Sequence, residues 1–130
     1  MRELICIVCP SGCPLTVKQN QAADANSGLE IAGNLCPRGV SYAQEEIRSP
    51  KRTVTATCAV ILGESAAGRS LYAPRRVPVK TSAPCPKEKI PALLADVYST
   101  KVTLPIKVGD LVIADWKGCG IDVVATRSLA

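Results

Sequence analysis

Seven cysteines and not one histidine, in a chain of 130 residues, limit what this sequence can build. Four of the cysteines, Cys6, Cys9, Cys13 and Cys36, are spaced C-x2-C-x3-C, then 22 residues, then C. An odd total cannot close into a complete disulfide framework. The chain enters the cysteine motif at its sixth residue, with no apolar leader ahead of it. The expected setting is therefore cytoplasmic and reducing, where clustered thiols ligate metal more often than they pair. The lack of histidine excludes histidine-bearing zinc sites, Rieske centres, Ser-His-Asp triads and Cys-His nucleophile pairs. Any metal site must be made of sulfur and carboxylate.

Aromatic residues are 3% of the chain, with no Phe and one Trp, although 47% is hydrophobic. The core must be assembled from Val, Ile, Leu and Ala, which bury less area per side chain than aromatics do. A small lobe built this way is expected to need a metal or disulfide staple. Charge is uneven: residues 1–50 carry 4 basic and 5 acidic side chains, net −1, and residues 51–130 carry 12 and 6, net +6. The basic pairs Lys51-Arg52 and Arg75-Arg76 read as a solvated surface or a face for an acidic protein partner. Nucleic acid is not expected, because single-strand binding wants aromatic platforms beside the charges. The longest apolar run, Cys58 to Leu62, is far too short to cross a bilayer, so no membrane insertion is expected.

The pattern along the chain predicts an α+β fold. A small cysteine-ligated metal-binding β-hairpin lobe over residues 1–50 would be followed by a mainly antiparallel β lobe with one main helix over 51–130. Residues 2–8 read as a strand entering the cysteine loop, 15–18 and 28–33 as a hairpin with a polar tip between them, and 40–47 as a short helix with Ser41 as N-cap. Ser49-Pro50 ends that helix. Thr53 to Leu62 is rich in β-branched residues and reads as a strand, with a loop at 63–70. Leu71 to Ser82 contains two prolines and is expected to be an edge strand or polyproline segment. Pro86 to Tyr98 reads as the main helix, with Ile90, Leu93, Leu94 and Val97 on one face and Pro91 delaying or bending its first turn. Strands are expected at 102–104, 106–108, 111–114 and 121–125, with turns at Gly109-Asp110 and 116–120.

Three thiolates in one eight-residue loop can wrap three corners of a cubane, and a distant fourth can close the last. Gly12 permits the tight path, and Pro10, Pro14 and Pro37 stiffen the turns. Structural zinc more often uses two separated C-x2-C knuckles, whereas here there is one, so the spacing favours a [4Fe–4S] cluster over a four-cysteine zinc site. Zinc remains the alternative. Cys58 lies in an apolar strand and is expected to be a buried small hydrophobe. Cys85, between two prolines, and Cys119, between two glycines, could both be exposed thiols, and with Cys58 they make no recognisable ligand set. Arg38 is placed to tune the metal centre or to dock a partner.

Cys6-Ile-Val-Cys9-Pro-Ser-Gly-Cys13, followed by Leu35-Cys36-Pro-Arg-Gly39, resembles the N-terminal iron–sulfur segment of the molybdopterin oxidoreductases. The likeness covers about residues 4–52 and extends to Ser49-Pro-Lys-Arg52. It implies that Arg38 matches the basic residue lying between cluster and pterin. No large molybdenum-binding region fits in the remaining 78 residues, so molybdenum catalysis does not carry over. The whole chain is also similar to a family of small uncharacterised bacterial and archaeal proteins with conserved CxxC pairs. The matching pieces are the four-cysteine segment, Pro78-Val-Lys-Thr-Ser82, Pro86-Lys-Glu-Lys-Ile90, and Val108-Gly-Asp110 through Gly120-Ile-Asp-Val-Val-Ala-Thr-Arg127. That resemblance implies a metal-binding accessory to a flavoprotein dehydrogenase. No nucleophile or acid–base pair suggests independent catalysis. The function expected is that of a non-catalytic electron-transfer subunit, and a structural zinc adaptor is the alternative.

Overall fold

The computed structural model describes residues 1–19, 28–61 and 74–130. The polar hairpin tip, the loop at 63–70 and the start of the 71–82 segment lie outside the described residues. The chain divides into two compact units, Met1–Pro50 and Lys51–Ala130. Both are α+β, and all but one of the named strand pairings are antiparallel.

In the first unit, β1 (Arg2–Ile5), β2 (Pro14–Gln19) and β3 (Leu29–Ala32) form a sheet in the order β1-β2-β3. Along β2 the side chains alternate, and Leu15 and Val17 are buried while Pro14 and Lys18 are exposed. Helix α1 (Pro37–Arg48) covers that buried face with Gly39 and Ala43, one turn apart, and Tyr42 and Ile47 pack beside them. The helix starts three residues earlier than the sequence reading: Cys36, not Ser41, is the N-cap, and Pro37 occupies the first turn. Proline's fixed φ suits that position, where its missing N–H costs no helical bond. Ser49 is the C-cap, its N–H donating to the Glu45 carbonyl at 2.9 Å.

The second unit carries a sheet in the order β8-β5-β6-β10-β9, built from β5 (Thr55–Val60), β6 (Arg76–Thr81), β8 (Lys101–Val102), β9 (Leu111–Ile113) and β10 (Val123–Ala125). A two-stranded pairing joins β4 (Lys51–Arg52) to β7 (Cys85–Pro86). Helix α2 (Ile90–Ser99), preceded by a 3₁₀ turn at Lys87–Lys89, buries Leu93 and Val97 at i, i+4. They join Cys58, Val77, Val79, Trp116 and Val123 in the core of this unit. Pro91 lies in the first turn of α2, where it costs no hydrogen bond, and the α-helix begins only at Ile90, the delayed start expected of it. The expected strand at 106–108 reduces to a single bridge, Ile106 to Leu129.

β6 is central, not an edge. Its neighbours are β5 and β10. Pro78 stands opposite Thr57 on β5, between the flanking bonds Val60 N–H to Arg75 O and Thr81 N–H to Val54 O, in a register that places no β5 bond at the proline. Its nitrogen faces the β10 side instead. There it meets Thr126, just past the end of β10, whose N–H donates to the Pro78 carbonyl at 2.9 Å. A proline at the last rung of a ladder removes one bond and leaves the sheet intact.

Candidate metal centre

The ladder between β1 and β2 carries two of the four cysteines to the same place. Ile5 pairs with Pro14, and one step beyond, the Cys6 N–H donates to the Cys13 carbonyl at 2.9 Å. Cys13 continues the alternation of Leu15 and Val17, so it lies on the buried face, and Cys6 opposite it is buried too. Both thiols belong to the small core beneath α1. Between them the chain turns through Cys9 and Gly12, where the Gly12 φ of 57° suits glycine and its N–H reaches the Cys9 carbonyl at 3.5 Å.

The fourth cysteine arrives at this end by a tight approach. Gly33, at φ 89°, crosses so close to β2 that a Cβ there would lie 2.1 Å from the Pro14 carbonyl oxygen. Asn34 Nδ2 donates to the Cys36 carbonyl at 3.1 Å. Gly39, in the first turn of α1, would direct a Cβ to 3.0 Å from Asn34 Cβ and 3.6 Å from Leu15 Cδ2. These three contacts set the start of α1, and therefore Cys36, over the Pro14–Leu15 end of β2.

Arg38 is the electrostatic hub. Its charge is reinforced first by the Cys36 thiolate, with Cys9 and Cys6 adding to it. Reciprocally, the Arg38 side chain, followed by the Arg38 and Gly39 backbone N–H groups, pulls the Cys36 thiol below its ordinary pKa. Cys36 forms no side-chain capping bond to the helix, and the Gly39 N–H donates to the Cys36 carbonyl at 3.1 Å, so these amides act on the sulfur through their dipoles. The Cys9 thiol is also lowered, chiefly by the Ser11 N–H and hydroxyl, with Arg38 further off. Ser11 and Asn34 were missed by sequence reasoning. The signal was only a small polar residue beside each cysteine turn.

All seven cysteines are free thiols. Among the described residues, no three His, Cys, Asp or Glu side chains stand together in a closed metal-holding group. The fold gathers Cys6, Cys13 and the Cys36 turn at one end of the lobe without drawing the four sulfurs onto one point. Ile5, Ile7, Val8 and Leu35, which flank these cysteines in sequence, are all exposed. No helix among the described residues is long and apolar enough to cross a membrane. In the second unit Cys58 is fully buried, its Sγ–H directed at the Val97 carbonyl at 3.3 Å. Cys119 is exposed. Cys85 departs from the sequence reading: it is buried, because β7 pairs with β4 and turns its side chain into the core.

The family model described as "Protein of unknown function (DUF1667)" matches residues 37–127. The match begins immediately after Cys36 and leaves the C-x2-C-x3-C loop outside it. Among solved structures, the NMR structure of the Clostridium perfringens protein CPE0013 is similar at 24% identity, covering 61% of this chain and 84% of that one, with a TM-score of 0.49. No curated protein matches the chain.

Proposed function

The chain belongs to the DUF1667 family of proteins of unknown function, and we propose that its N-terminal unit binds a [4Fe–4S] cluster through Cys6, Cys9, Cys13 and Cys36 and serves as a one-electron accessory to a redox partner of the flavoprotein dehydrogenase class. One observation carries this reading: thiols from two separate turns, Cys9 and Cys36, are both biased toward the thiolate and share Arg38 as a cationic neighbour. Thiolates are the form that ligates metal. The donor set is sulfur only, which suits iron–sulfur or zinc and not a hard cation. When bound, the cluster would supply the one-electron step. The chain's own part is to hold four sulfurs, to lay Arg38 against the charge of a reduced centre, which raises its potential, and to direct backbone N–H groups at the sulfurs. The exposed Ile5, Ile7, Val8 and Leu35 suit contact with another protein.

A structural zinc site is the second reading. It is favoured by the small inner core, in which, among the described residues, Cys6 and Cys13 cluster with the buried hydrophobic side chains of Leu15, Val17 and Ala43. Metal-binding energy in so small a lobe is folding energy. Protein purified without oxygen separates the two readings. The cluster predicts broad visible absorption and about four iron and four sulfide per chain. A colourless protein with one zinc per chain overturns the cluster in favour of the adaptor.

A further inference from the structure

A second pair of thiols converges in the other unit, away from the four-cysteine loop in sequence. The β6–β10 ladder pairs Val79 with Ala125, Lys80 with Val124 and Thr81 with Val123. It continues one rung, through Ser82 N–H to the Asp122 carbonyl at 2.8 Å and Asp122 N–H to Ser82 Oγ at 3.0 Å. Cys85 lies three residues after Ser82, and Cys119 three residues before Asp122. The two cysteines are therefore register mates of the same ladder, carried past the point where its strands end. Lys89, closing the 3₁₀ turn after β7, stands between the two arms with Nζ 3.6 Å from Cys119 Sγ.

The two thiols differ in a useful way. Cys119 is exposed, between Gly118 at φ 66° and Gly120 at φ 68°, with open space where a Cβ would stand at either glycine. Cys85 is fully buried. Burial raises the Cys85 pKa, the charge of a Cys119 thiolate raises it further, and Lys89 opposes both. Burial, the leading cause, therefore favours the neutral Cys85 thiol.

We infer that Cys119 and Cys85 form a hydroperoxide-responsive dithiol, in which Cys119 reacts and Cys85 closes the disulfide. In the first step the Cys119 thiolate attacks one oxygen of a hydroperoxide. The S–O bond forms, the O–O bond breaks, and the departing alkoxide or hydroxide leaves as alcohol or water after taking a proton. Lys89 is the hydrogen-bond donor to the attacking sulfur. In the second step Cys85 sulfur attacks the sulfenic sulfur of Cys119. The S–S bond forms, the S–O bond breaks, and hydroxide leaves as water with the Cys85 proton. Two thiols and one hydroperoxide give a disulfide, an alcohol (or water) and a water. The order of the two steps follows from access: Cys119 is exposed and meets the hydroperoxide first, and the buried Cys85 reacts only with the sulfenic sulfur of its register mate.

The test uses the reduced full chain, a few equivalents of hydrogen peroxide, quenching with N-ethylmaleimide, and peptide mapping without reductant. The expected result is a linked peptide joining Cys85 to Cys119, two hydrogens lighter than its parts and separated by dithiothreitol. Lys89→Met should slow its appearance several-fold. Cys85→Ala should leave Cys119 as a sulfenic acid captured by dimedone. If Cys85→Ala fails to fold, the wild-type map decides alone. Cys119 oxidised while Cys85 remains a free thiol in the unfolded digest, or Cys119 linked to any other cysteine, overturns the pair.

Discussion

Trp116 Nε1 donates a 2.7 Å hydrogen bond to Asp96 Oδ2, fastening the 116–118 turn to α2. That bond, ahead of the neighbouring Lys117 ammonium, holds the Asp96 carboxyl below its ordinary pKa. A carboxylate whose pKa is lower folded than unfolded adds stability above its unfolded value, about 3.9. The contribution disappears as pH falls through the lower folded value. Trp116 is the sole tryptophan, so its fluorescence reports on this contact directly. Acid titration should release the indole below the ordinary carboxylate range. Asp96→Asn should flatten the pH dependence of stability in that window, and an unchanged slope would show that the bond does not couple to folding.

The two lowered thiols have different causes, and alkylation rates against pH should separate them. In metal-stripped protein, Cys9 and Cys36 should react with iodoacetamide at lower pH than an ordinary thiol. Arg38→Met should move the Cys36 profile up strongly and the Cys9 profile slightly, because Arg38 leads at Cys36 and comes fourth at Cys9. Ser11→Ala should raise Cys9 alone, and only in part, since the Ser11 N–H remains. Equal shifts at both thiols in either variant would contradict the assignment.

Cys36→Ser and Cys58→Ser should have opposite consequences. Cys36 is the one proposed ligand from the second turn. Its loss should remove the metal and strip hydrogen-exchange protection from residues 1–50, while α2 around Leu93 keeps its own. Cys58 is packed in the core of the second unit and donates to the Val97 carbonyl. Its serine variant should retain full metal at a cost of about 1 kcal/mol. Iron, sulfide and zinc content, with exchange rates, checks both variants. Full metal in the Cys36 variant would end its assignment as a ligand.

Gly33→Ala should damage the first unit severely. Its Cβ would meet a backbone oxygen at 2.1 Å, in a left-handed conformation that alanine rarely adopts. The backbone strain alone costs about 1–3 kcal/mol, and the clash adds to it. Exchange protection over β2 and β3 should fall, and metal uptake should fall with it. A variant as stable as the parent would mean that β3 can leave β2 freely.

Local pattern is readable from the sequence where one face of an element decides it. Leu15 and Val17 alternate with exposed neighbours, and Leu93 and Val97 recur one turn apart, so strand and helix follow from period alone. Position in a sheet does not follow that way. Two prolines make 71–82 look like an edge, yet the register sets the Pro78 nitrogen at the last rung of β10, where its missing N–H costs little. The start of α1 is misread because Ser41 is a good cap in general, whereas Pro37 fixes the helix earlier through its φ. Cys85 looks exposed between prolines, but its burial depends on β4, more than thirty residues upstream. For the candidate centre, the cysteines and Arg38 stand out as sequence features. Ser11 and Asn34 do not, because their roles come from turns whose geometry only the folded chain defines.

Arg76 reaches back from β6 to β5, where its Nη2 donates to the Thr57 carbonyl at 2.7 Å and its Nε to Thr57 Oγ1 at 2.6 Å. β8 pairs with β5 only at Ala59 and Val60, so Thr57 lies on a stretch of β5 margin that β8 does not cover. A bare carbonyl on such a margin is a docking point for a foreign strand. The guanidinium seated on the Thr57 carbonyl occupies that acceptor, and a charge at a strand margin disfavours pairing with another chain. Arg76 thus works against edge pairing at this one carbonyl, a task separate from any chemistry at the thiols.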